Sequence, residues 1–269
     1  MDILDLKSSK YAVIKEYVDD FRNNKNIEDY KAEYLKLSKE LCEDNRKNVQ
    51  SLGNRIQKQI SDYEKEILRV KTMYEFDKSF GDYKYIAGVD EVGRGPLAGP
   101  IVSAAVILDE ENLDDIILYI NDSKKLSNKL RQQLSDKIKE KALSYSIAIM
   151  DNKEIDSKGI GFCNNEVFKI ACSNLKIKPD LVLSDGYLIK NFDLPNKHVI
   201  KGDTKSAAIA CASIIAKVYR DNLMIEYGKE FPNYGFDKNV GYGTKEHTDA
   251  LKIYGITKIH RKSFLKNFF

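Results

Sequence analysis

Apolar positions along this chain follow two regimes that change near residue 80. Before it they recur at helical spacing: Tyr30, Tyr34, Leu37 and Leu41, then Ile56, Ile60, Tyr63, Ile67 and Val70. That spacing predicts two or three helices. After it, short apolar runs bounded by glycine, proline and acids alternate with longer helical patterns. Tyr85, Ile86 and Val89 predict a first strand, which the run from Gly93 to Pro96 should end. Residues 101–108 predict a second strand, antiparallel to the first. Residues 145–150 alternate and predict a third. Residues 181–184 are strongly apolar and predict a fourth, and residues 197–200 a last, short one. Helices are predicted over 128–142, capped by Ser127, and over 160–175, with Val167, Ile170, Ala171 and Leu175 turned to the core and Pro179 blocking continuation. A third is predicted over about 206–227, where Ala207, Ala208, Ala210, Ala212, Ser213 and Ala216 permit close backbone packing. Between these lie an acidic turn at 109–114 and a short apolar segment at 116–120. The pattern predicts an α/β protein, a sheet flanked by helices, with an N-terminal helical extension.

Composition sharpens the division. With 269 residues, 42% of them hydrophobic, the chain can bury one sizeable core and carry a small second unit. We expect residues 1–80 to form a helical accessory unit and residues 81–269 a catalytic domain with a helical C-terminal part. Residues 1–80 hold no proline, one glycine (Gly53), and 16 basic against 16 acidic residues, so the net charge of +3 comes wholly from the remainder. Without a basic stripe, those helices read as a bundle packed on the catalytic domain rather than as an arm gripping a duplex or a partner. No run of 18 apolar residues exists, and the start of the chain lacks the apolar core of a secretory signal, so a cytoplasmic location is expected. Cys42, Cys163, Cys172 and Cys211 are scattered without a C-x-x-C pair and read as reduced structural thiols.

The candidate chemistry is acidic. Asp90 and Glu91 stand together at the end of the first strand, where unpaired carboxylates are expensive. A divalent metal would remove that cost, since hard cations prefer carboxylate oxygen. Strict alternation sends the two side chains to opposite faces, so the glycines beyond must let the chain bring them toward one ion. Two solvated acids in a loop are the plainer alternative. Asp185-Gly186 closes the fourth strand, the end where open α/β sheets place sites. Asp203 precedes the alanine-rich helix, where the dipole alone would favour an acid; Asp221 competes by type but lies far along that helix. Lys124 and Lys125 sit just before a helix, where cations do not help the dipole, which makes phosphate contact an alternative to a solvated pair. Residues 239–248 read as a loop in which Tyr242, bracketed by Gly241 and Gly243, is an exposed aromatic able to stack on a sugar or base rather than a core ring. His247 and His260 lack ligand partners at diagnostic spacing, which argues against zinc.

The run G-V-D-E-V-G-R-G-P-L-A-G-P at residues 88–100 resembles the first motif of bacterial ribonuclease HII. D-S-K-K-L at 122–126, L-S-D-G at 183–186, K-G-D at 201–203, A-K-V-Y-R-D at 216–221, G-Y-G-T at 241–244 and H-R-K-S-F at 260–264 resemble later ones. The Gly93-Arg94-Gly95 triplet separates this family from ribonuclease HIII. The resemblance covers about residues 84–264 and implies a ribonuclease H-like fold, three antiparallel strands followed by parallel ones. It implies that Asp90, Glu91, Asp185 and Asp203 form a carboxylate set holding Mg²⁺ or Mn²⁺. Paired ions in such sites lie roughly 3.5–4 Å apart. The implied activity is cleavage of RNA in RNA–DNA hybrids and at single ribonucleotides in duplex DNA, leaving 3′-hydroxyl and 5′-phosphate ends. Gly93 and Gly95, exposing backbone donors and acceptors, would read the 2′-hydroxyl, Arg94 would add contacts to phosphate, and Tyr242 would sense the RNA-to-DNA junction. Gly93→Ala is then expected to weaken cleavage more than folding. A monomer is expected.

Other readings share these residues. The same fold could act on DNA alone, against which the glycine-arginine turn and Tyr242 stand. A hybrid-binding protein with a lapsed site would not keep all the implied acids. The tail F-L-K-N-F-F, with Leu265, Phe268 and Phe269 at helical spacing, resembles sliding-clamp peptides, but Lys262 stands where their glutamine belongs, and docking onto the protein's own surface is the stronger expectation.

Overall fold

A computed structural model describes residues 5–266. Its contacts divide the chain between Arg69 and Val70 into two compact units.

The first unit contains α1 (Tyr11–Asn24), α2 (Ile27–Cys42) and most of α3 (Lys47–Lys78). Asn26 starts α2 by accepting a hydrogen bond from Asp29 N through its side chain at 2.8 Å. Ile14, Val18, Phe21, Tyr34, Leu37, Leu41, Leu52, Ile56 and Ile60 form its core. Gly53 is required by packing: a Cβ there would lie 2.6 Å from Cys42 Sγ and 2.8 Å from Cys42 N. Tyr30 departs from the helical pattern. Its backbone breaks the helix (φ −117°, ψ 23°), and its ring turns outward beneath Lys25 Nζ at 4.9 Å.

The second unit is built on a five-stranded sheet of order β3-β2-β1-β4-β5. The strands are β1 (Ile86–Val92), β2 (Ile101–Ile107), β3 (Ser144–Met150), β4 (Leu181–Asp185) and β5 (Asn196–Val199). β1, β2 and β3 pair antiparallel, whereas β4 and β5 run parallel to β1. Ala87 pairs with Ile107 on one side of β1 and with Val182 on the other. β2 is buried along its whole length, while edge strand β3 alternates buried and exposed, which explains its alternating sequence.

Two layers of helix cover the sheet. Ala87, Val89 and Val182 face α6 (Ile160–Ser173), which follows α5 (Asn152–Lys158) and contributes Cys163, Val167, Phe168 and Ala171. Ile86, Leu181 and Leu183 face α7 (Ala207–Glu230) and meet Ile209. A Cβ on Gly88 would lie 2.1 Å from Ala208 C and 2.2 Å from Ile209 N, so the α7 backbone rests directly on β1. The alanines of α7 make that approach feasible. Its start is held by Ser206, which accepts from Ile209 N at 3.1 Å, and by Asp77, which accepts from Ala208 N at 2.9 Å. α4 (Asn128–Lys141) begins where Ser127 Oγ accepts from Leu130 N.

α8 (Phe236–Asn239) and α9 (Lys245–Tyr254) complete the C-terminal part, packing Tyr234, Phe236 and Leu251 against Leu97, Ala98 and Met224. Leu265 is buried there, and Phe268 and Phe269 lie outside the described residues. Among the described residues no helix is long and apolar enough to cross a membrane. All four cysteines are free, three of them buried.

Two local expectations change. Ile170 is 39% exposed, because the buried face of α6 runs through Cys163, Val167, Phe168, Ala171 and Cys172 and position 170 falls off it. The loop expected to reach residue 248 stops earlier: Thr244 caps α9 by accepting from His247 N, so residues 245–248 are helical. The apolar 116–120 segment forms neither helix nor strand and is buried except at Tyr119, which is 42% exposed and takes φ +66°.

Candidate active site

Strand alternation sets the first geometry. Ile86 and Gly88 face α7, so Asp90 follows on that face, and Asp185 follows Leu181 and Leu183 there. Asp90 is only 8% exposed and has no ion-pair partner among the described residues. Ser213 of α7 reaches its carboxylate and stands 3.0 Å from Ser123 Oγ. Asp90 Oδ1 also accepts from Glu91 N at 2.7 Å. Glu91 is the next residue of β1, paired with Ser103 of β2, and lies within electrostatic reach of Asp185. Asp185 Oδ1 accepts from Gly202 N at 2.7 Å, and this bond places the one-turn 3₁₀ helix Gly202–Thr204, with Asp203, beside it. Gly202 leaves no room for a side chain: a Cβ would lie 2.6 Å from Ile209 Cδ1.

All four carboxyls titrate above the ordinary range. For Asp90 the dominant cause is burial, followed by the charges of Glu91 and Asp185. Burial pushes Glu91 up to about 7 against the pull of Arg94, with Asp185 adding to the rise. Burial also raises Asp185 and Asp203, and the charge of Asp185 adds to the effect on Asp203. As the side chains stand, no three His, Cys, Asp or Glu groups among the described residues are gathered tightly enough to ligate a metal ion. The donor set nevertheless suits a hard divalent cation. It is all carboxylate oxygen, it is under-neutralised, and a dication would relieve the repulsion that raises these pKa values.

The residues expected to read substrate adjoin this cluster. Gly93 adopts φ +95°, and a Cβ would meet Arg220 Nε at 2.3 Å and Pro100 O at 2.7 Å. Gly93→Ala would therefore strain the fold as well as the site, so folding is expected to suffer alongside cleavage. Gly95 is exposed, and its nearest neighbour to an added Cβ would be Tyr242 Cε1 at 3.6 Å, an ordinary contact. Tyr242 is 41% exposed. Arg94 Nη1 lies 3.8 Å from Glu91 Oε1, and its guanidinium stands 4.7 Å above the Tyr187 ring. Lys124 and Lys125 are exposed in the 3₁₀ turn Ser123–Lys125; the charge of Lys124 reaches Glu91, Asp185 and Asp203, and that of Lys125 reaches Asp203. Asp221 instead pairs with Lys217 at 2.8 Å and stands apart from the acids.

Sequence reasoning passed over several residues here. Asp122 shares the field of Asp185 and Asp203 while holding the Lys124 N–H at 2.9 Å. Tyr187 is 53% exposed directly after Asp185-Gly186, a position that could have marked it. Arg220 and Arg261 are wholly buried behind the Gly93–Gly95 turn; both fall in family-like runs, at 216–221 and 260–264, but nothing local in those runs marks them as buried.

The sheet order, the α7 backbone laid on β1 and the acids at neighbouring strand ends define a ribonuclease H-type nuclease. A ribonuclease HII family profile matches residues 87–267, and a ribonuclease HII N-terminal domain profile matches residues 12–81. Ribonuclease HII of Clostridium perfringens strain 13 is 69% identical over 262 residues, covering 97% of this chain and 95% of that one. Ribonuclease HII of Clostridium botulinum strain Loch Maree is 52% identical over 269 residues, covering 99% of each. Among solved structures, ribonuclease H2 of Pyrococcus horikoshii superimposes with TM-score 0.58 at 28% identity, covering 68% of this chain and 98% of that one. Ribonuclease HII of Archaeoglobus fulgidus, solved in complex with PCNA, gives TM-score 0.56 at 26% identity, covering 66% and 93%. The chain belongs to the ribonuclease HII family, and it is a ribonuclease H with endonuclease activity.

Proposed function

We propose that the protein hydrolyses the RNA strand of RNA–DNA hybrids and cuts at single ribonucleotides in duplex DNA, leaving 3′-hydroxyl and 5′-phosphate ends. The carrying observation is the buried, under-neutralised set of Asp90, Glu91 and Asp185, joined by Asp203 through the Asp185–Gly202 hydrogen bond. These four would hold Mg²⁺ or Mn²⁺, which would activate water and stabilise the leaving oxygen. No histidine or serine stands in the cluster as a nucleophile, and the Ser213 hydroxyl, close to Asp90, donates to Ser123 Oγ at 3.0 Å. Lys124, Lys125 and Arg94 supply the positive charge that lets a phosphate approach the acids. The exposed Gly95 backbone beside Tyr242 is the surface for the ribose and the adjoining sugar. Residues 1–80 act as an accessory unit of a cytoplasmic monomer. A sliding-clamp contact through the tail is the least supported part: the archaeal PCNA complex favours it, while Leu265, buried here, would have to leave its core to serve it.

The test is a DNA duplex carrying one ribonucleotide, incubated with Mg²⁺ or Mn²⁺ and, separately, with chelator. A cut beside the ribonucleotide only with metal, and an intact all-DNA duplex, is the expected result. Cleavage of the all-DNA duplex would favour the DNA-nuclease alternative, and binding without cleavage would favour a lapsed site.

A further inference from the structure

We propose that Arg261, together with Arg220, is a positioning residue that joins the Gly93–Gly95 turn and the Tyr242 loop into one rigid recognition surface. Reading of the ribose and reading of the adjoining sugar are then coupled. The inference rests on the substrate reading above and adds to it residues that touch no substrate.

The guanidinium of Arg261 spends its donors on a single stretch of backbone. Nη2 donates to Gly93 O at 2.6 Å, Nη1 to Arg94 O at 2.9 Å and Nε to Gly99 O at 2.9 Å. The segment is held in register as well: Arg261 N donates to Leu97 O, Gly99 N donates to Ile259 O, each at 2.9 Å, and Ala98 bridges His260. Arg220, from α7, donates through Nε to Pro100 O at 2.9 Å, through Nη2 to Ala98 O at 3.1 Å and through Nη1 to Val240 O at 2.9 Å. Its last bond crosses to the second loop. Both side chains are wholly buried, so a lost bond is not replaced by water.

The two loops also meet directly. Leu97 N donates to Gly241 O at 2.8 Å, and a Cβ on Gly241 would lie 2.4 Å from Ala98 O. A histidine chain adds a further tie. Thr257 N donates to His260 Nδ1 at 2.8 Å, so the His260 proton sits on Nε2 and points to His247 Nε2, 3.0 Å away. His247 must then carry its proton on Nδ1, which donates to Tyr242 O at 2.9 Å. One arrangement of protons satisfies the whole chain, and it fixes the carbonyl of the candidate stacking residue.

The consequence for recognition is directional. Arg261 occupies the carbonyls of Gly93 and Arg94, whereas the N–H groups of Arg94 and Gly95 have no hydrogen-bond partner among the described residues. The turn therefore keeps two N–H donors available for a hydroxyl or phosphate oxygen of the strand.

A double-mutant cycle on the full-length protein separates positioning from simple stabilisation. The variants are Tyr242→Ala, Arg261→Lys and both together. Each is assayed for kcat and KM on a single-ribonucleotide duplex, at a temperature where near-UV circular dichroism shows it folded. We expect Tyr242→Ala to lower kcat/KM by about tenfold in the wild-type background and by under about twofold in Arg261→Lys. Equal factors in both backgrounds overturn the proposal, as does a Tyr242→Ala without effect in the wild type. If Arg261→Lys does not fold, His247→Asn replaces it in the cycle with the same expectation and the same overturning result. A wild-type protein that leaves the ribonucleotide duplex uncut would instead refute the substrate reading itself.

Discussion

Two neighbouring regions of this domain bury charge in opposite ways. In the acid cluster, Asp90 is buried without a cationic partner, and the carboxyls around it push one another's pKa upward. Behind it, Arg220 and Arg261 are at least as deeply buried, yet six of their N–H donors reach backbone carbonyls. The first region holds unrelieved charge and is suited to bind a cation. The second is satisfied internally and is suited to hold shape. Burial alone therefore does not identify a site; a buried charge left unbalanced does.

Asp90→Asn should separate the two regions most strongly. Cleavage should fall by about a thousandfold or more, since the developing charge loses its stabilising group. The metal-free thermal midpoint should stay or rise, because a repelled buried carboxylate becomes a neutral amide. A fall in the midpoint would mean that Asp90 holds shape and the contrast fails. The glycines sharpen the same line. Gly93→Ala meets Arg220 and Pro100 at a positive φ and should destabilise the protein by at least about 2 kcal/mol in urea unfolding. Gly95→Ala, which would meet only Tyr242 at an ordinary contact distance, should stay within about 0.5 kcal/mol of wild type while raising KM for the ribonucleotide duplex. Similar destabilisation by both would remove the distinction.

The smallest effect is a pH dependence belonging to the scaffold. Burial lowers the pKa of His247, and burial with its partner lowers His260 to about 4, so both are neutral in the fold. Below the ordinary value near 6.5 the unfolded chain takes up protons that the folded pair resists. Their contribution is intact above about pH 6.5 and should drain as pH falls toward 4. Urea midpoints across that range should lose less in His260→Gln than in wild type. Parallel losses would place the titrating groups elsewhere.

How much of this was legible in the sequence follows the same division. The sheet was readable because short β-branched runs alternate with helical spacing and the turns carry glycine and proline. Among the candidate acids, Asp90-Glu91 and Asp185-Gly186 were marked by standing at strand ends, whereas Asp203 joined the set through the family resemblance. Arg220 and Arg261 were not readable as buried, since a buried arginine is defined by carbonyls distant in sequence: Arg261 reaches Gly93 and Arg94 across more than 160 residues. The helix start at Lys245 was hidden because Thr244, a loop residue by composition, acts as its cap. Tyr30 and Ile170 fit a helical period yet face solvent, Tyr30 because the helix kinks there and Ile170 because the buried face of α6 runs through Val167, Phe168, Ala171 and Cys172 instead.

Calorimetric titration of the metal-free protein with Mn²⁺, in wild type and in Asp185→Asn, addresses the acid cage most directly. Saturable binding in the wild type, weakened about tenfold or more in the variant while its thermal midpoint is retained, is the result this account requires. Undiminished binding in Asp185→Asn would contradict it, because the ion would then sit outside the carboxylates that β1 and β4 bring together.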